Sequence, residues 1–158
     1  MIILGIDPGT ATLGWGVIKK FQSSNVKCQN FGIIETSPKL SDSQRLAQIS
    51  KELVDIIKKY QPNRVAVEKI FFFKNQKTII TVAQARGVVL CECEKLGLKV
   101  FEYTPLEVKM ATCSYGRADK EQVQKMVMLH LGLKKMPQPD DAADALAIAI
   151  TCANTQKF

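Results

Sequence analysis

Ile2-Ile3-Leu4-Gly5-Ile6-Asp7-Pro8-Gly9-Thr10, near the start of the chain, is an apolar run that ends at an acidic residue and a Pro-Gly turn. The apolar residues predict a buried strand over Ile2–Ile6, and the turn formers predict where that strand ends. Asp7 then lies at the end of the strand, where a carboxylate is costly to bury unless it binds something. The segment therefore predicts both the first strand of a sheet and the first residue of a functional site.

The elements that follow extend this sheet and then alternate with helices. Two more strands are predicted over Leu13–Lys19 and Val26–Glu35, and their short connections indicate an antiparallel meander. From Ser41 onward the spacing of apolar residues becomes helical. The first predicted helix ends at Gln61 and is followed by a strand over Arg64–Glu68. A second helix, from about Asn75 to Lys95, is followed by a strand over Leu98–Tyr103. Two helices then begin at the capping residues Thr104 and Asp119, and a last helix runs from Asp140 through Ala153. This order predicts an α/β fold in which a mixed sheet carries helices on its faces.

The composition limits the class of protein. The 158 residues are most simply one domain, 1–158, and 22 basic against 15 acidic residues give a formal net charge of +7. A basic surface attracts polyanions, of which nucleic acid is the commonest in a cytoplasm. No stretch approaches the roughly 20 apolar residues of a membrane span, and no basic segment precedes the N-terminal run, so we expect no membrane association and a cytoplasmic location. The five cysteines include no CxxC pair and are expected to be reduced and structural.

Three further acidic positions can join Asp7 in one site. Glu68 ends the strand after the first helix, and a βαβ crossover makes that strand parallel to its neighbour, so Asp7 and Glu68 are expected to leave the sheet at one edge. In the last helix, Asp144 shares a face with Asp141, three residues earlier, and with Asp140, four residues earlier. Spacing alone leaves both pairings open. Complementing the helix dipole would explain Asp140 and Asp141, but it explains Asp144 poorly, because that residue lies one turn further in.

A site made of carboxylates has a preference among metals. Oxygen ligands without clustered His or Cys favour Mg²⁺ or Mn²⁺ over Zn²⁺. Two such ions can activate water, hold a scissile phosphate and stabilise the leaving 3′ oxygen. Together with the basic surface, the carboxylates predict an enzyme that hydrolyses phosphodiester bonds in nucleic acid.

A set of motifs runs in a fixed order along nearly the whole chain. The motifs are Gly5-Ile6-Asp7-Pro8-Gly9-Thr10, Gly14-Trp15-Gly16-Val17-Ile18, Ala66-Val67-Glu68, Ala83-Gln84-Ala85-Arg86-Gly87, Gly116-Arg117-Ala118-Asp119-Lys120 and Asp141-Ala142-Ala143-Asp144-Ala145-Leu146-Ala147-Ile148-Ala149. In this order they resemble the RuvC family of Holliday-junction resolvases, the crossover junction endodeoxyribonucleases of the RNase H-like superfamily.

The resemblance implies a fold, a reaction and a set of partners. The fold is RNase H-like, with a central five-stranded mixed sheet and helices on both faces. The reaction is the resolution of four-way junction DNA by a homodimer, which nicks two strands of like polarity in symmetric pairs and leaves ligatable 5′-phosphate ends during recombination and repair. The branch-migration motor proteins RuvA and RuvB are implied as partners. The resemblance also implies two Mg²⁺ ions, for which Mn²⁺ can substitute. It leaves Asp140 outside the metal site, and the ligands that it selects are Asp7, Glu68, Asp141 and Asp144.

Aromatic and basic residues near these acids are candidates for DNA contact. Phe71-Phe72-Phe73 follows Glu68 in a predicted loop, and three consecutive aromatic side chains cannot all point inward. One Phe, by family position Phe71, could stack on a base or wedge into the junction; packing in the core or at a dimer seam is the alternative. Lys120 lies in the first turn of a helix, where a cation opposes the dipole, so either a phosphate binds there or the lysine is merely solvated. The resemblance implies that Lys109 and Lys120 lie near the scissile region, and Lys120 is predicted to be catalytic as well as a DNA contact. The predicted DNA contacts are Phe71, Phe72, Lys74, Lys77, Arg86, Lys109, Arg117 and Lys120.

Three other functions compete with junction resolution. One is an RNase H-like nuclease that acts on RNA, as a YqgF-like protein would. A second is a sugar-kinase-like or actin-like ATPase, whose first phosphate loop also has the pattern of Asp7-Pro8-Gly9-Thr10, although such proteins need two domains. A third is a junction-binding module without catalysis, which the retained acids disfavour because unneeded carboxylates weaken DNA binding.

The long second helix has apolar residues around much of its girth and is the predicted dimer element.

Overall fold

The computed structural model describes residues 1–22, 25–69 and 79–156 of the chain. Five strands form one sheet: β1 (Ile2–Asp7), β2 (Thr12–Lys20), β3 (Val26–Glu35), β4 (Arg64–Glu68) and β5 (Val100–Tyr103). Five helices are described beside it: α1 (Asp42–Tyr60), α2 (Ile79–Lys95), α3 (Pro105–Cys113), α4 (Lys120–Leu131) and α5 (Asp140–Thr155). The predicted order of elements is confirmed.

The sheet is mixed, with the strand order β3-β2-β1-β4-β5. The first three strands form the expected antiparallel meander. β4 pairs in parallel with β1, and β5 pairs in parallel with β4, because a helix returns the chain to the same end of the sheet before each of them. The parallel strands therefore all end at the edge where Asp7 and Glu68 lie.

Helices cover both faces of the sheet, as predicted. On one face, α1 packs through a stripe at helical spacing, Ile49, Leu53 and Ile57, and α2 packs beside it through Ala85 and Val89. On the other face, α5 lies across β1 and β2, and α3 and α4 pack against α5. From Ala142 to Ala153 every residue of α5 except Asp144 is buried, which explains why small and aliphatic residues dominate this stretch.

Capping residues set the start of three helices. Reciprocal capping boxes are formed by Ser41 with Gln44, Thr104 with Glu107, and Asp119 with Gln122. In each box, the side chain of the first residue accepts a hydrogen bond from the backbone N–H of the second, and the side chain of the second accepts one from the backbone N–H of the first. The α1 helix ends at Tyr60, and Gln61 adopts a left-handed conformation with φ 46°. These boundaries agree with the sequence patterns that predicted them.

Two predicted boundaries differ from the structure or leave its described part. The β5 strand starts at Val100 and not at Leu98, because the Leu98 N–H donates to the Cys93 carbonyl at 2.9 Å and so belongs to the turn that closes α2. The predicted start of the second helix at Asn75 lies outside the described residues. The described helix begins at Ile79 and buries only one side, since Ile80 is 68% exposed. Across residues 1–22, 25–69 and 79–156, no helix is both long enough and apolar enough to cross a membrane.

Candidate active site

Two strand ends place the first pair of carboxylates side by side. Ile6 of β1 is in register with Val67 of β4, so the next residue of each strand, Asp7 and Glu68, leaves the sheet at the same level. On its other side Asp7 pairs with Gly14 of β2. The predicted meeting of the two acids at one sheet edge is confirmed.

Helix α5 brings the second pair of acids to this edge, because glycines let its backbone touch the sheet. A Cβ atom added at Gly14 would lie 2.0 Å from the carbonyl oxygen of Asp141, and one at Gly5 would lie 2.1 Å from that of Ala145. Only glycine fits at so close an approach. The start of α5, with Asp141 and then Asp144, is therefore fixed above β1 and β2 and beside Asp7.

The electrostatics show that these carboxylates share one environment. Burial raises the pKa of Asp7 well above its usual range, and the negative charges of Glu68, Asp144 and Asp141 raise it further. Burial, followed by repulsion from Asp144, raises the pKa of Glu68 to about 7. The pKa of Asp144 is also raised, chiefly by burial, although Lys120 partly offsets the effect. Like charges held together in this way favour the binding of cations.

Asp140 points to different partners. Its Oδ1 accepts a hydrogen bond from the Gln124 Nε2 at 2.8 Å, and its Oδ2 lies 3.3 Å from the Lys120 Nζ. The hydrogen bond from Gln124 and the one from Lys120 both lower the pKa of the Asp140 carboxyl. Asp140 thus faces α4, whereas Asp141 contributes to the repulsion felt by Asp7. The geometry therefore favours Asp141 as the partner of Asp144 in the acidic cluster.

Two lysines complete the candidate site. The Lys120 Nζ lies 3.4 Å from the Asp144 Oδ2 in addition to its contact with Asp140. Partial burial lowers the pKa of the Lys120 ammonium, but the charges and hydrogen bonds of Asp144 and Asp140 together raise it above its usual value. Lys109 joins Lys120 in the lining of a cavity of about 210 Å³ between α3, α4 and α5. The cavity is lined by Glu68, Pro105, Val108, Lys109, Lys120, Val123, Asp144 and Ile148.

The acids lie close enough to interact, yet they do not form a finished cage. Among the described residues, no three His, Cys, Asp or Glu side chains have the arrangement of a ready-made metal site. Asp144 is paired with Lys120 in this arrangement. The donor set itself, four carboxylates, fits hard divalent cations.

The other predicted DNA contacts differ in their surroundings. Arg86 on α2 forms an ion pair with Glu102 of β5, and only 24% of its side chain is exposed. Arg117, in the connection between α3 and α4, is exposed. The predicted contacts in the connection after β4 lie outside the described residues: Phe71, Phe72, Lys74 and Lys77, together with Phe73.

Sequence reasoning missed Gln124 and the threonines that brace the turn after Asp7. Gln124 is buried, and the only signal for it is that it lies one helical turn after Lys120 and so on the same face. The Thr10 hydroxyl donates to the carbonyl of Thr81 on α2, and the Thr36 hydroxyl donates to the carbonyl of Thr10. These bonds link three segments that are far apart in the chain, which no local pattern could reveal.

Comparisons with known proteins agree with this fold. A protein from Caldicellulosiruptor saccharolyticus named crossover junction endodeoxyribonuclease RuvC is 51% identical over 150 residues, covering 95% of this chain and 90% of that protein. Its counterpart from Clostridioides difficile is 50% identical over 158 residues, covering 100% of this chain and 93% of that protein. The Thermus thermophilus RuvC structure in complex with Holliday junction substrate superposes with a TM-score of 0.91 at 36% identity, covering 98% of this chain and 93% of that one.

The sheet order, with acids at the ends of β1 and β4 and on α5, places the protein in the RNase H-like class, confirming the predicted fold. A yeast mitochondrial Holliday junction resolvase, Ydc2, shares the fold with a TM-score of 0.69 at 15% identity. Within that class, the family model described as crossover junction endodeoxyribonuclease RuvC matches residues 3–152. The chain belongs to the RuvC family.

Proposed function

We propose that this chain is a structure-specific endodeoxyribonuclease that resolves Holliday junctions. It nicks two strands of like polarity in symmetric pairs by hydrolysis and leaves ligatable 5′-phosphate ends, in homologous recombination and DNA repair. The observation that carries the proposal is the convergence of acids from β1, β4 and α5 beside Lys109 and Lys120, in a chain of the RuvC family. A family relative that has been described in complex with Holliday junction substrate supports four-way DNA as the substrate.

The proposed metal ligands are Asp7, Glu68, Asp141 and Asp144. Their oxygen-only donor set suits two Mg²⁺ ions, with Mn²⁺ as a substitute, and their mutual repulsion is relieved by cations. When bound, the ions supply an activated water and charge stabilisation for the leaving 3′ oxygen. The role of the protein is to hold the four carboxylates on two strand ends and one helix, whose positions are fixed by the sheet.

The remaining side chains of the site act on the phosphate. Lys120 stands at the first residue of α4, so its ammonium can bind phosphate oxygens together with the first N–H groups of that helix, whereas the Gln122 N–H already donates to Asp119. Lys109 reaches the same cavity from α3. We propose that both lysines bind the scissile phosphate and that Lys120 also stabilises the charge that develops on it during hydrolysis.

Contacts further along the DNA complete the proposed substrate interface. Phe71 and Phe72, from the connection after Glu68, are proposed to stack on bases or to open the junction centre. Lys74, Lys77 and Arg117 are proposed backbone contacts. Arg86 is proposed as a contact that must share its guanidinium with Glu102.

The working assembly is proposed to be a homodimer in which each chain is a single RNase H-like nuclease domain, 1–158. It is proposed to act in the cytoplasm with the motor proteins RuvA and RuvB. Paired nicking needs two active sites related by a two-fold axis, because the two cut strands have the same polarity. Helix α2 offers a surface for this axis: a stripe of exposed, mostly small or apolar residues along the helix. The α2 stripe consists of Ile80, Ala83, Gln84, Gly87 and Cys91.

The choice among nucleases is tested with three substrates in Mg²⁺: a labelled synthetic four-way junction, a linear duplex of the same sequence, and an RNA–DNA hybrid. We expect cleavage of the junction, with at most traces of product from the other two. Preferential cleavage of the hybrid would support an RNA-directed nuclease instead. Junction binding without cleavage at any Mg²⁺ concentration would support a binding module.

A further inference from the structure

Lys120 is shared between two carboxylates that have different roles. Its Nζ lies 3.4 Å from Asp144, a proposed metal ligand, and 3.3 Å from Asp140, which lies outside the proposed ligand set. A divalent cation and an ammonium group compete for the same carboxylate, since each neutralises it and the two cations repel each other. Lys120 therefore needs another anionic partner when Asp144 binds metal.

Asp140 is held in the orientation that such a partner needs. Gln124, which is buried within α4, donates from its Nε2 to the Asp140 Oδ1 at 2.8 Å. This bond leaves the Oδ2 of Asp140 available to Lys120, which lies one turn before Gln124 on α4. Asp140 of α5 thus bridges two side chains of α4, Lys120 and Gln124.

We propose that Asp140, oriented by Gln124, is a positioning residue for Lys120. It draws the ammonium away from Asp144 when metal binds and keeps it at the rim of the acidic site, where the substrate phosphate arrives. The inference rests on the proposed metal-dependent function and adds to it a residue outside the carboxylate quartet. Without Asp140, Asp144 is the one close anionic partner left to Lys120 among the residues that the structure describes, and Lys120 becomes an internal competitor of the metal.

Binding of Mn²⁺ to the DNA-free protein, measured by titration calorimetry, tests this role without any cleavage assay. The Asp140→Asn substitution retains an oxygen for Gln124 but removes the charge that attracts Lys120. We expect it to weaken Mn²⁺ binding about three- to fivefold, the size expected when a partly exposed ion pair is lost. The Lys120→Gln substitution removes the competitor, and we expect it to tighten Mn²⁺ binding.

The double variant separates positioning from a simple loss of negative charge near the metal. If Asp140 acts through Lys120, adding Asp140→Asn to Lys120→Gln should change Mn²⁺ affinity less than twofold. If Asp140 acts on the metal directly, the double variant should lose the same three- to fivefold as the single one, and that result would overturn the inference. In junction cleavage, the Asp140→Asn defect should appear at limiting Mg²⁺ and shrink at saturating Mg²⁺.

Glu121→Gln is the matched control. It removes one negative charge from the first turn of α4 and breaks an exposed ion pair with Lys125, 2.7 Å long. It should leave Mn²⁺ affinity and cleavage unchanged. If the native protein binds Mn²⁺ and cuts junctions but Asp140→Asn behaves like Glu121→Gln, the inference alone fails. If the native protein binds no Mn²⁺, the proposed function fails first and the inference with it.

Discussion

At the level of single residues, the candidate site contains buried carboxylates whose negative charges repel one another. Asp7, Glu68 and Asp144 all have raised pKa values, for which burial is the first cause and neighbouring carboxylates add to it. A folded protein keeps such groups only where they serve a purpose, because neutral side chains of the same shape would be more stable. Stability and activity should therefore respond in opposite directions when one of these charges is removed.

The Asp7→Asn variant should make this opposition visible. We expect the metal-free variant to unfold at a higher urea concentration than the native protein, because a repelled and buried charge is gone. We expect cleavage of a junction to fall by more than about a hundredfold, since even outer-shell partners of a metal site can cost that much. Asp55→Asn, at an exposed position of α1, is the control for the charge change and should affect neither quantity. A destabilised Asp7→Asn protein would contradict the electrostatic reading.

Glu68 predicts a pH dependence of stability in the absence of metal. Its folded-state pKa of about 7 exceeds the ordinary value of 4.5, so the folded protein holds a proton that the unfolded chain has lost. Its contribution to stability is therefore present at low pH and is lost as pH rises from about 4.5 to about 7.

Urea unfolding in chelator at pH 5 and pH 8 measures this effect as a difference between the native protein and Glu68→Gln. We expect the native protein to lose about 1–2 kcal/mol more than the variant over this interval, a figure that allows for solvent screening at a partly exposed group. Glu35→Gln, at an exposed position of β3, should follow the native protein. Parallel pH profiles for the native protein and Glu68→Gln would refute the prediction.

At the scale of elements, the contact between α5 and the sheet decides where the second pair of acids lies. The helix can approach β1 and β2 only because Gly5 and Gly14 present no side chain to it. The acids of α5 and those of the strands are thus held in one site by backbone contact between a helix and two strands.

Alanine substitutions at glycines of β2 and β3 should have graded effects. At Gly14 the new Cβ meets the backbone of Asp141 at 2.0 Å, so the start of α5 must move, and we expect a loss of about 2–3 kcal/mol together with a strong loss of cleavage. At Gly16 the nearest atom is the end of the Leu146 side chain at 2.7 Å, which can shift more easily, so the loss should be smaller.

Gly32→Ala is the control in this series, since its new Cβ would approach only the ring of Trp15, at 3.0 Å, and not α5. Its cleavage rate should match that of the native protein. Urea unfolding and junction cleavage measured on the three variants check the order. Equal cleavage by Gly14→Ala and Gly32→Ala would show that α5 does not set the position of the acids.

Packing between helices and strands also limits what could be predicted from the sequence. Capping boxes at Ser41, Thr104 and Asp119 are local patterns, so the starts of three helices could be predicted. The choice between Asp140 and Asp141 could not be made from spacing, because both share a helix face with Asp144. It depends on how α5 is rotated over β1 and β2, which is a property of packing between elements.

At the scale of the whole molecule, charge and shape support an assembly on DNA. The net charge of +7 includes the acids concentrated in the candidate site, so the remaining surface is more basic than the total indicates. Affinity for DNA should therefore fall steeply as salt rises. On the face away from the sheet, the α2 stripe remains exposed in the single chain and is the proposed dimer surface.

Ile80→Glu tests the dimer. A charge at the centre of an apolar contact is expected to shift the protein to monomer and to turn paired nicks into single, uncoupled ones. Leu129→Glu on α4 is the matched control, since Leu129 is 66% exposed and Ile80 is 68% exposed. Sedimentation at assay concentrations and analysis of nicked products give the two readouts. A native protein that is monomeric while nicking both strands, or an Ile80→Glu dimer, would argue against α2 as the interface.

We propose that the catalytic carboxylates are Asp7, Glu68, Asp141 and Asp144, a claim that junction cleavage at saturating Mg²⁺ can test. Five single variants are compared with the native protein: Asp7→Asn, Glu68→Gln, Asp141→Asn, Asp144→Asn and Asp140→Asn. We predict symmetric, ligatable nicks from the native protein, losses of more than about a hundredfold for the first four variants, and cleavage close to the native rate for Asp140→Asn, whose defect shrinks at saturating Mg²⁺. Native-like cleavage by any of the first four, or a loss for Asp140→Asn as large as theirs, would contradict the claim.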